Sequence, residues 1–520
     1  MTHCAQLRFV SFGLLASFVL AASASAQDAT EASQTLDLQA TFEEALNLQQ
    51  QGEHKEALKL FDQILRYANN NPDVYLAQGN SLRALENYDA AIASYTKALE
   101  RNLTANLAQL YKGRGICYIE MTPADPNLAM TDFQNALELD RNDPETLSAL
   151  GDVLARYTRE SDASLRYLDD ALAIREDARD YRNRGLVHSY SGEFEDAISD
   201  LKKAIELEGD NYENYSTLAQ IYRTQEEPAE ALPYVSKAIE TYKPEKRTDF
   251  KFYAEGYLSR AQLRQKIAED AESDAERDRL FEEVLSDVNF IIQESSDIGT
   301  LAEYRASAYF TRGVAFRLLQ RYSEAIDSLT RAIQLAPKLS SGGSFYLAEA
   351  YLRRGICWFY QGYNDLARGD FEAAISTGGG FQDPRVPLWI GYTYHREGDY
   401  REAIQQYSEA IAKKENFPLP HVNKGRAYFA LGDYEKAIRS FNNAIRVEPA
   451  NAEHYFLRGI CNLKMGELDK ARESFKLALL QENRTPAMYK AMADALEEAG
   501  NADLASRYRA QAEQRGEVEE

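Results

Sequence analysis

Basic residues and long apolar runs are both in short supply in this chain of 520 residues. It carries 59 lysines and arginines against 82 aspartates and glutamates, which gives a formal net charge of −23. Such a charge repels phosphate backbones and anionic lipid headgroups, so nucleic acid and membrane surfaces are poor candidate partners. Beyond the first 26 residues, no stretch is long and apolar enough to predict a membrane span.

Histidines and catalytic signatures are also scarce. The chain has six histidines, and those beyond the N-terminal segment are dispersed without the spacing of metal ligands: His54, His188, His395, His421 and His454. The sequence contains no G-x-S-x-G, no H-E-x-x-H and no G-x-G-x-x-G motif. These absences predict no catalytic residues, no metal site and no cofactor.

Cysteine is rarer still, with four residues in the chain. Cys4 lies in the N-terminal segment, and the other three end the same tetrapeptide, Arg-Gly-Ile-Cys, at residues 114–117, 354–357 and 458–461. A cysteine motif that occurs three times marks either a metal or redox site or a structurally equivalent position in a repeat.

The N-terminal segment has the order of features that secretory signals share. Arg8 supplies a positive charge, an apolar run extends from Phe9 to Ala22, and Ala24-Ser25-Ala26 forms a small-x-small site. This order predicts a signal peptide cleaved after Ala26. An N-terminal membrane anchor is the alternative, but the apolar run is shorter than a span requires. We therefore expect the mature chain to be exported, either to a periplasm or to the extracellular space.

A recurring glycine or alanine, the anchor, divides the rest of the chain into units, several of which are 34 residues long. A small residue follows the anchor at +12, a bulky one at +16 and another small one at +19, as with Gly425, Ala437, Phe441 and Ala444. The anchors are Ala45, Gly79, Gly115, Gly151, Gly185, Ala219, Gly256, Gly313, Gly355, Gly391, Gly425, Gly459 and Ala493.

This spacing predicts a pair of helices in each unit. Residues at −4, 0 and +3 share one face of a first helix, and those at +12, +16 and +19 share one face of a second helix. Small residues at the anchor, +12 and +19 allow the two backbones to approach closely, while the bulky residues fill the space beside them. Glycines such as Gly398 and Gly432 suit the turn between the helices.

The stretch GRAYFALGDYEKAIRSFNNAIRVEP, residues 425–449, resembles a tetratricopeptide repeat, and about thirteen such units follow from Leu36 to Arg515. The resemblance implies an all-α fold, a right-handed α-solenoid of helix hairpins whose first helices line a concave binding surface. Since the repeats occupy nearly the whole mature chain, no room is left for a catalytic domain, and we expect no enzyme.

The predicted domains follow from these boundaries. They are a signal peptide (1–26), a linker (27–35), an N-terminal array (36–265), a helical insertion within a repeat (266–283), a C-terminal array with a capping helix (284–515) and an acidic tail (516–520). The insertion has a helix-forming, mixed-charge composition, which favours a lengthened, solvated hairpin over a dedicated partner site. Turn-rich insertions at 122–126, 338–346 and 377–384 are predicted loops.

The −3 and +1 positions form a second stripe on each first helix. In the units anchored from Gly79 to Gly256, seven of twelve such residues are polar or charged, whereas nine of ten are apolar or aromatic from Gly313 to Gly459. An apolar strip of this kind suits an extended or helical apolar segment, unless tight curvature or a neighbouring copy covers it. With residues at +4, the predicted groove consists of Phe310, Val314, Leu352, Ile356, Phe359, Leu388, Tyr392, His395, Val422, Arg426, Phe429, Phe456 and Ile460.

The functional prediction is a non-catalytic scaffold that binds a protein partner in this groove, in an extracytoplasmic compartment. The alternatives are a holdase for unfolded exported proteins and, less favoured, an enzyme or carbohydrate-binding accessory. No His-Pro-Asp signature accompanies the holdase alternative. One subtype of the family grips a C-terminal carboxylate with polar side chains, and Leu76, Ile116 and Ser148 depart from its pattern.

The Arg-Gly-Ile-Cys motif fits the repeat rather than a metal or redox site. Its glycine is an anchor, so each cysteine occupies the +2 position, where Ala315 and Ala427 stand in other units. The three thiols belong to the third, ninth and twelfth units, which predicts separations of roughly 30 and 60 Å between neighbours, beyond disulfide reach. We expect them to be buried, small apolar residues.

Overall fold

The computed structural model describes residues 28–101, 106–242, 250–295, 301–336, 343–377 and 382–516. The predicted signal peptide, residues 517–520 of the acidic tail and much of the two glycine-rich loops lie outside these ranges. The chain divides into two compact units, one up to Tyr242 and one from Lys243 onward.

The first unit contains six helix hairpins. Its helices are α1 (Asp28–Gln50), α2 (His54–Tyr67), α3 (Pro72–Ala84), α4 (Tyr88–Glu100), α5 (Leu107–Glu120), α6 (Pro126–Leu139), α7 (Pro144–Val153), α8 (Ser161–Ile174), α9 (Ala178–Ser191), α10 (Phe194–Leu207), α11 (Tyr212–Thr224) and α12 (Pro228–Thr241).

The described residues of the second unit form seven helix hairpins. Its helices are α13 (Phe250–Glu269), α14 (Asp274–Glu294), α15 (Ala302–Leu318), α16 (Tyr322–Leu335), α17 (Gly343–Tyr360), α18 (Asn364–Thr377), α19 (Arg385–Glu397), α20 (Tyr400–Lys413), α21 (Pro418–Ala430), α22 (Tyr434–Val447), α23 (Ala452–Lys464), α24 (Leu468–Leu479), α25 (Pro486–Glu498) and α26 (Ala502–Gly516).

Within each unit the two helices of a hairpin pack together, and each second helix packs against the first helix of the next hairpin. Over the part of the chain that the structure describes, all regular elements are helical. The predicted all-α solenoid of about thirteen helix hairpins is confirmed.

Nine glycine anchors pack directly against a bulky residue of the second helix, which stands at +16 in seven hairpins, at +17 from Gly151 and at +18 from Gly115. A Cβ atom built on Gly355 would lie 2.6 Å from Cε1 of Phe371, and one on Gly391 would lie 2.5 Å from Cε1 of Tyr407. Since real Cβ atoms do not approach a ring so closely, the bare glycine backbone sets the distance between the two helices. Phe371 and Tyr407 are fully buried by this contact.

An arginine at −1 ties consecutive hairpins together. The Arg354 guanidinium donates two hydrogen bonds of 2.7 and 2.8 Å to Asp370 on its own second helix, and one of 2.9 Å to Thr330 on the preceding second helix. Arg114 and Arg184 make the same two-sided contact, with Asp132 and Asp200 as the carboxylates. Bidentate pairs of this kind fix the relative orientation of the two side chains in addition to stabilising their contact.

Two hairpins keep the arginine but lack the carboxylate. Arg312 donates to the hydroxyl of Ser328 at 3.1 Å, and Arg458 donates to that of Ser474 at 3.1 Å. Burial lowers the pKa of both guanidiniums. In contrast, burial acts to lower the pKa of Arg354, but the hydrogen bonds that it donates to Asp370 raise this pKa overall.

The turn between the helices uses a left-handed residue at +7. Gly398 and Gly432 adopt it with φ of +89° and +76°, a conformation that costs glycine little. Glu86 and Gln320 adopt it at the equivalent position, with φ of 61° and 59°. The backbone geometry of the turn is thus kept even where the side chain disfavours it.

One unit absorbs an extra residue without disturbing the helix packing. After α7, residues Leu154–Thr158 form a π-helical turn. As a result, the buried side chains of α8 are Ser164, Leu168 and Ala171, each one position later than the +12, +16 and +19 spacing predicts. A π-turn accommodates one extra residue inside a helix, so the face of α8 that meets Gly151 is restored.

The segment 266–283 lengthens both helices of its hairpin instead of forming a separate element. It is helical except for the turn between Glu269 and Asp274. Ala268, Leu280 and Phe281 are buried within the second unit's core. The extension is therefore partly packed, not only solvated.

The Arg-Gly-Ile-Cys motif assigns one role to each residue. In residues 354–357 the arginine ties two second helices, the glycine meets Phe371, the isoleucine is 5% exposed at a predicted groove position, and the thiol is fully buried. Burial raises the pKa of Cys117, Cys357 and Cys461 to about 12. The thiols are therefore protonated at neutral pH and poorly nucleophilic.

The contact of Gly355 with Phe371 predicts opposite effects for two glycines of one hairpin. Gly355→Ala should lower the midpoint of thermal unfolding, because overpacking of about 1–3 kcal/mol outweighs the better helix propensity of alanine. On α18, nothing lies within 4 Å of a Cβ added at Gly369. Gly369→Ala should therefore raise the midpoint, because it increases the free energy of unfolding by about 0.5–1 kcal/mol. Circular dichroism melts check both. Equal effects of the two substitutions would contradict the close-contact interpretation.

The guanidinium tie predicts that Asp370→Asn destabilises the protein by about 2–4 kcal/mol, because it leaves Arg354 largely buried without a counter-ion. The matched control is Glu435→Gln, whose pair with Arg439 is 73% and 71% exposed at 3.9 Å and should cost less than about 0.5 kcal/mol. Ser328→Asp should stabilise the protein by giving Arg312 a carboxylate. Urea titrations measure all three, and a null effect of Asp370→Asn would refute the tie.

Candidate protein-binding groove

Four first helices of the second unit form a continuous layer. α15, α17, α19 and α21 contact one another in chain order, in addition to packing against the second helices. We use "first-helix wall" for the side chains at −3, +1 and +4 on α15, α17, α19, α21 and α23. All thirteen predicted groove residues belong to it.

Five of those thirteen residues are almost completely buried. Their exposed fractions lie between 0 and 5%: Val314, Leu352, Ile356, Leu388 and Val422. Leu352, Ile356, Leu388 and Val422 pack in hydrophobic clusters that adjacent hairpins share. These aliphatic side chains therefore form the floor beneath the wall, and a bound segment would contact them little.

The other eight remain partly exposed, namely Phe310, Phe359, Tyr392, His395, Arg426, Phe429, Phe456 and Ile460. Phe310 contacts Tyr346, Phe429 contacts Tyr434 and Phe456 contacts Phe475, with ring centroids 4.8, 5.4 and 6.1 Å apart. These three phenylalanines thus occupy separate places along the wall.

Phe359 and Tyr392, by contrast, belong to one aromatic cluster with Trp389 and Tyr360. The ring of Trp389 lies 5.3 Å from that of Phe359, 5.1 Å from that of Tyr392 and 5.8 Å from that of Tyr360. Tyr360 is the most open member, with 52% of its surface exposed. The cluster joins two successive first helices, α17 and α19.

Sequence reasoning missed Trp389 and Tyr360 because they stand at −2 and +5, outside the stripe it followed. A helix turns 100° per residue, so residues at −2 and +5 lie close to those at +1 and −3 on the same side. A wider stripe would have included both. Residue type is a second signal for Trp389, because the chain contains only two tryptophans.

Polar groups at the C-terminal side of the cluster are held in defined positions. Asn423 donates its side-chain amide to Oη of Tyr392 at 3.2 Å, and burial raises the pKa of Tyr392. Burial lowers the pKa of His395, and the charge of Arg426 lowers it further. His395 is therefore neutral at pH 7. Arg426 itself forms an ion pair with Glu453.

The corresponding positions of the first unit are polar and are mostly engaged within the chain. Lys112 pairs with Asp143 at 3.1 Å and with Glu145 at 2.8 Å. Arg182 donates to Asn214 at 3.0 Å and pairs with Glu213 at 2.7 Å. This side of the first unit offers a network of satisfied polar groups instead of an apolar strip.

One group of side chains with metal-ligand chemistry, which sequence reasoning did not identify, lies in the first unit. Ligand atoms of His188, Glu193 and Asp196 lie within 4.8 Å of one another. Nδ1 of His188 is 2.6 Å from Oε2 of Glu193, an ordinary ion-pair or hydrogen-bond distance that accounts for their proximity. Both carboxylates are exposed, so we assign no metal site here.

Across the described ranges, no helix combines the length and the apolar character needed to cross a bilayer. This finding agrees with the sequence beyond residue 26.

Comparison with known proteins places these hairpins in a recognised family. Tetratricopeptide repeat models match residues 42–103, 76–114, 182–246, 306–339 and 422–489, and a TPR repeat model matches 391–431. In structure the chain is similar to yeast Tom70, with 15% identity, a TM-score of 0.36 and coverage of 87% of this chain and 100% of that one.

Two curated relatives are each 30% identical to this chain over the aligned residues. Tetratricopeptide repeat protein 13 of Homo sapiens aligns over 135 residues, which is 26% of this chain and 14% of that protein. Tetratricopeptide repeat protein 36 of Xenopus tropicalis aligns over 141 residues, 27% of this chain and 68% of that protein. With its hairpins, anchors and these matches, the chain belongs to the tetratricopeptide repeat family.

Proposed function

We propose that the protein is a non-catalytic scaffold that binds a segment of a partner protein on the first-helix wall of the second unit. The observation that carries this proposal is the aromatic cluster. Phe359, Trp389 and Tyr392 keep part of their surface exposed on two helices whose backbones are fixed by glycine contacts. Exposed aromatic side chains on a rigid support are the usual source of binding energy in protein interfaces.

The arrangement of the wall supports a linear occupant. Partly exposed aromatic side chains recur on successive first helices, with Phe310 on α15, Phe359 on α17, Tyr392 on α19, Phe429 on α21 and Phe456 on α23. Adjacent packed helices lie about 8–10 Å apart. A segment that crosses them would meet one aromatic side chain every three residues or so if it is extended.

Membership in a family of helical repeats also favours binding over catalysis. The repeats supply an extended surface in which each unit adds a few side chains. The titratable side chains of the wall are those of Arg317, Tyr392, His395 and Arg426. Burial raises the pKa of Tyr392 and lowers that of His395, and Arg426 forms an ion pair with Glu453. This wall therefore suits recognition of a polypeptide better than proton transfer.

We further propose that the protein works outside the cytoplasm. The support is the order of Arg8, the apolar run and Ala24-Ser25-Ala26 at the N-terminus. The three thiols of the mature chain are buried, and an exported protein benefits from such protection because exposed thiols oxidise there.

The groove assignment predicts the loss of specific partners from a double variant. With the full chain as bait in an extracytoplasmic lysate, Phe359→Ala combined with Phe429→Ala should remove one or two stoichiometric partners, because truncating hot-spot aromatics costs about 2 kcal/mol or more each. Tyr67→Ala, which changes a 75% exposed tyrosine on α2, is the matched control and should retain them. Circular dichroism verifies that the variants are folded.

Two outcomes of the capture would count against this proposal. Unchanged partners with the double variant would exclude the first-helix wall as the binding surface. Capture of many substoichiometric proteins with little sequence preference would instead indicate a holdase.

The proposed localisation predicts a processed N-terminus. Mass spectrometry of the protein isolated from its native host should find a mature chain that begins at Gln27, recovered in the periplasmic or secreted fraction. A chain that retains residues 1–26 in the cytoplasmic fraction would contradict the export proposal.

A further inference from the structure

Two arginines beside the aromatic cluster form no ion pair with any residue that the structure describes. Arg396 on α19 places its guanidinium 3.9 Å from the ring centroid of Phe359. It donates to the carbonyl oxygen of Phe359 at 2.7 Å and to the side-chain oxygen of Asn364, both of which are neutral. Within the described chain it forms no ion pair: the nearby Glu397 pairs with Arg368 instead. Burial lowers the pKa of Arg396, and the charge of Glu397 offsets part of this effect.

Arg317 on α15 is the second. Its Nε is buried and has no hydrogen-bond partner among the described residues. It is adjacent to Tyr322 and Tyr360, whose rings stack 5.1 Å apart, and to a second cation, Arg353. Burial lowers the pKa of Arg317, and the charge of Arg353 lowers it further. The charged form of Arg317 is therefore destabilised by its surroundings, and a bound anion would stabilise it.

Three arginines on α17, α19 and α21 are paired with carboxylates. Arg353 pairs with Glu349 at 2.7 Å, Arg385 with Glu349 at 3.0 Å, and Arg426 pairs with Glu453. Arg317 and Arg396 are thus distinguished by their surroundings and not only by their charge.

The side of α15, α17, α19 and α21 that carries the aromatic cluster is positively charged, whereas the whole chain is negatively charged. On α15, α17, α19 and α21, the positions −6, −3, −2, +1, +4 and +5 face one side. They carry five arginines and one glutamate, a net charge of +4 in a protein of net charge −23: Arg317, Glu349, Arg353, Arg385, Arg396 and Arg426. A local reversal of this kind selects anionic partners and speeds their association.

We infer that the occupant of the first-helix wall is an acidic segment of a partner protein, with carboxylate side chains on both sides of an apolar or aromatic one. The aromatic cluster takes the apolar side chain, and Arg317 and Arg396 each take a carboxylate. This inference rests on the proposed function and specifies the chemistry of its partner.

The geometry also sets a spacing. Arg317 and Arg396 lie on α15 and α19, which are separated by α17. Both side chains reach α17, where Arg396 lies against Phe359 and Arg317 lies beside Tyr360, and the rings of Phe359 and Tyr360 are 5.7 Å apart. An extended chain covers about 3.3 Å per residue, so the two carboxylates should stand only a few residues apart.

Carboxylates are favoured energetically because these guanidiniums are already partly desolvated. Hydrogen bonds between a guanidinium and a carboxylate are stronger than those between neutral groups. Binding an anion adds such bonds while removing less water from the protein than an exposed arginine would lose. The rings nearby contribute stacking and cation–π contacts to the same segment.

Selection from a random library of displayed dodecapeptides on the full chain tests the inference. Peptides that bind the wild-type protein should be enriched in aspartate and glutamate beside an aromatic or aliphatic residue. A selected peptide, synthesised with blocked termini so that it has no terminal carboxylate, should bind more weakly as the ionic strength rises.

Variants of the two arginines locate the effect. Arg317→Gln and Arg396→Gln should each weaken the selected peptide roughly tenfold, whereas Arg317→Lys and Arg396→Lys should retain more of the affinity because they keep the charge. The matched control is Arg439→Gln on α22, which removes a 71% exposed arginine and should change nothing. The salt dependence gives an answer even if a glutamine variant fails to fold.

Four results would overturn the inference, and they are separable from failure of the proposed function. They are no enrichment, enrichment of basic or uncharged peptides, acidic peptides that bind equally well to the glutamine variants, and tighter binding of a 20-mer oligothymidylate than of any peptide. If partners are still lost with Phe359→Ala and Phe429→Ala, the groove stands and only its preference for acid falls.

Discussion

The approach of a bare glycine backbone to a ring is the constraint on which this structure depends. At Gly355 and Gly391 no side chain could be added without displacing Phe371 or Tyr407. In hairpins such as these, the contact fixes the spacing of the two helices, and the spacing determines where the next hairpin packs. The −3, +1 and +4 side chains are then presented on one layer, since their positions relative to the anchor never change.

Most of the fold could be predicted from the sequence because the anchors, +12, +16 and +19 residues depend on local spacing, which is visible in one chain. The π-helical turn after α7 could not, since one extra residue gives no pattern of its own. The roles of Arg354 and Asp370 were also missed. They stand sixteen residues apart on different helices, and their pairing depends on a fold that spacing of apolar residues does not report.

The candidate groove was predicted less completely than the fold. The stripe located Phe359 and Tyr392 but counted Leu352 and Val422 as equally available, although the structure buries both. Exposure depends on how neighbouring hairpins lean together, which the helical period alone does not encode. The aromatic cluster depends on Trp389 and Tyr360, which the stripe did not include and which connect Phe359 with Tyr392 across α17 and α19.

The guanidinium ties have a mechanical consequence. Joints of a repeat array that is pulled from its ends are loaded in series, so the weakest joint yields first. In the second unit the −1 arginine meets a carboxylate in the hairpin of Gly355 and only hydroxyl or amide groups in those of Gly313 and Gly459. Under tension the hairpin that carries Phe359 and Tyr360 would stay folded while the hairpins of Gly313 and Gly459 extend.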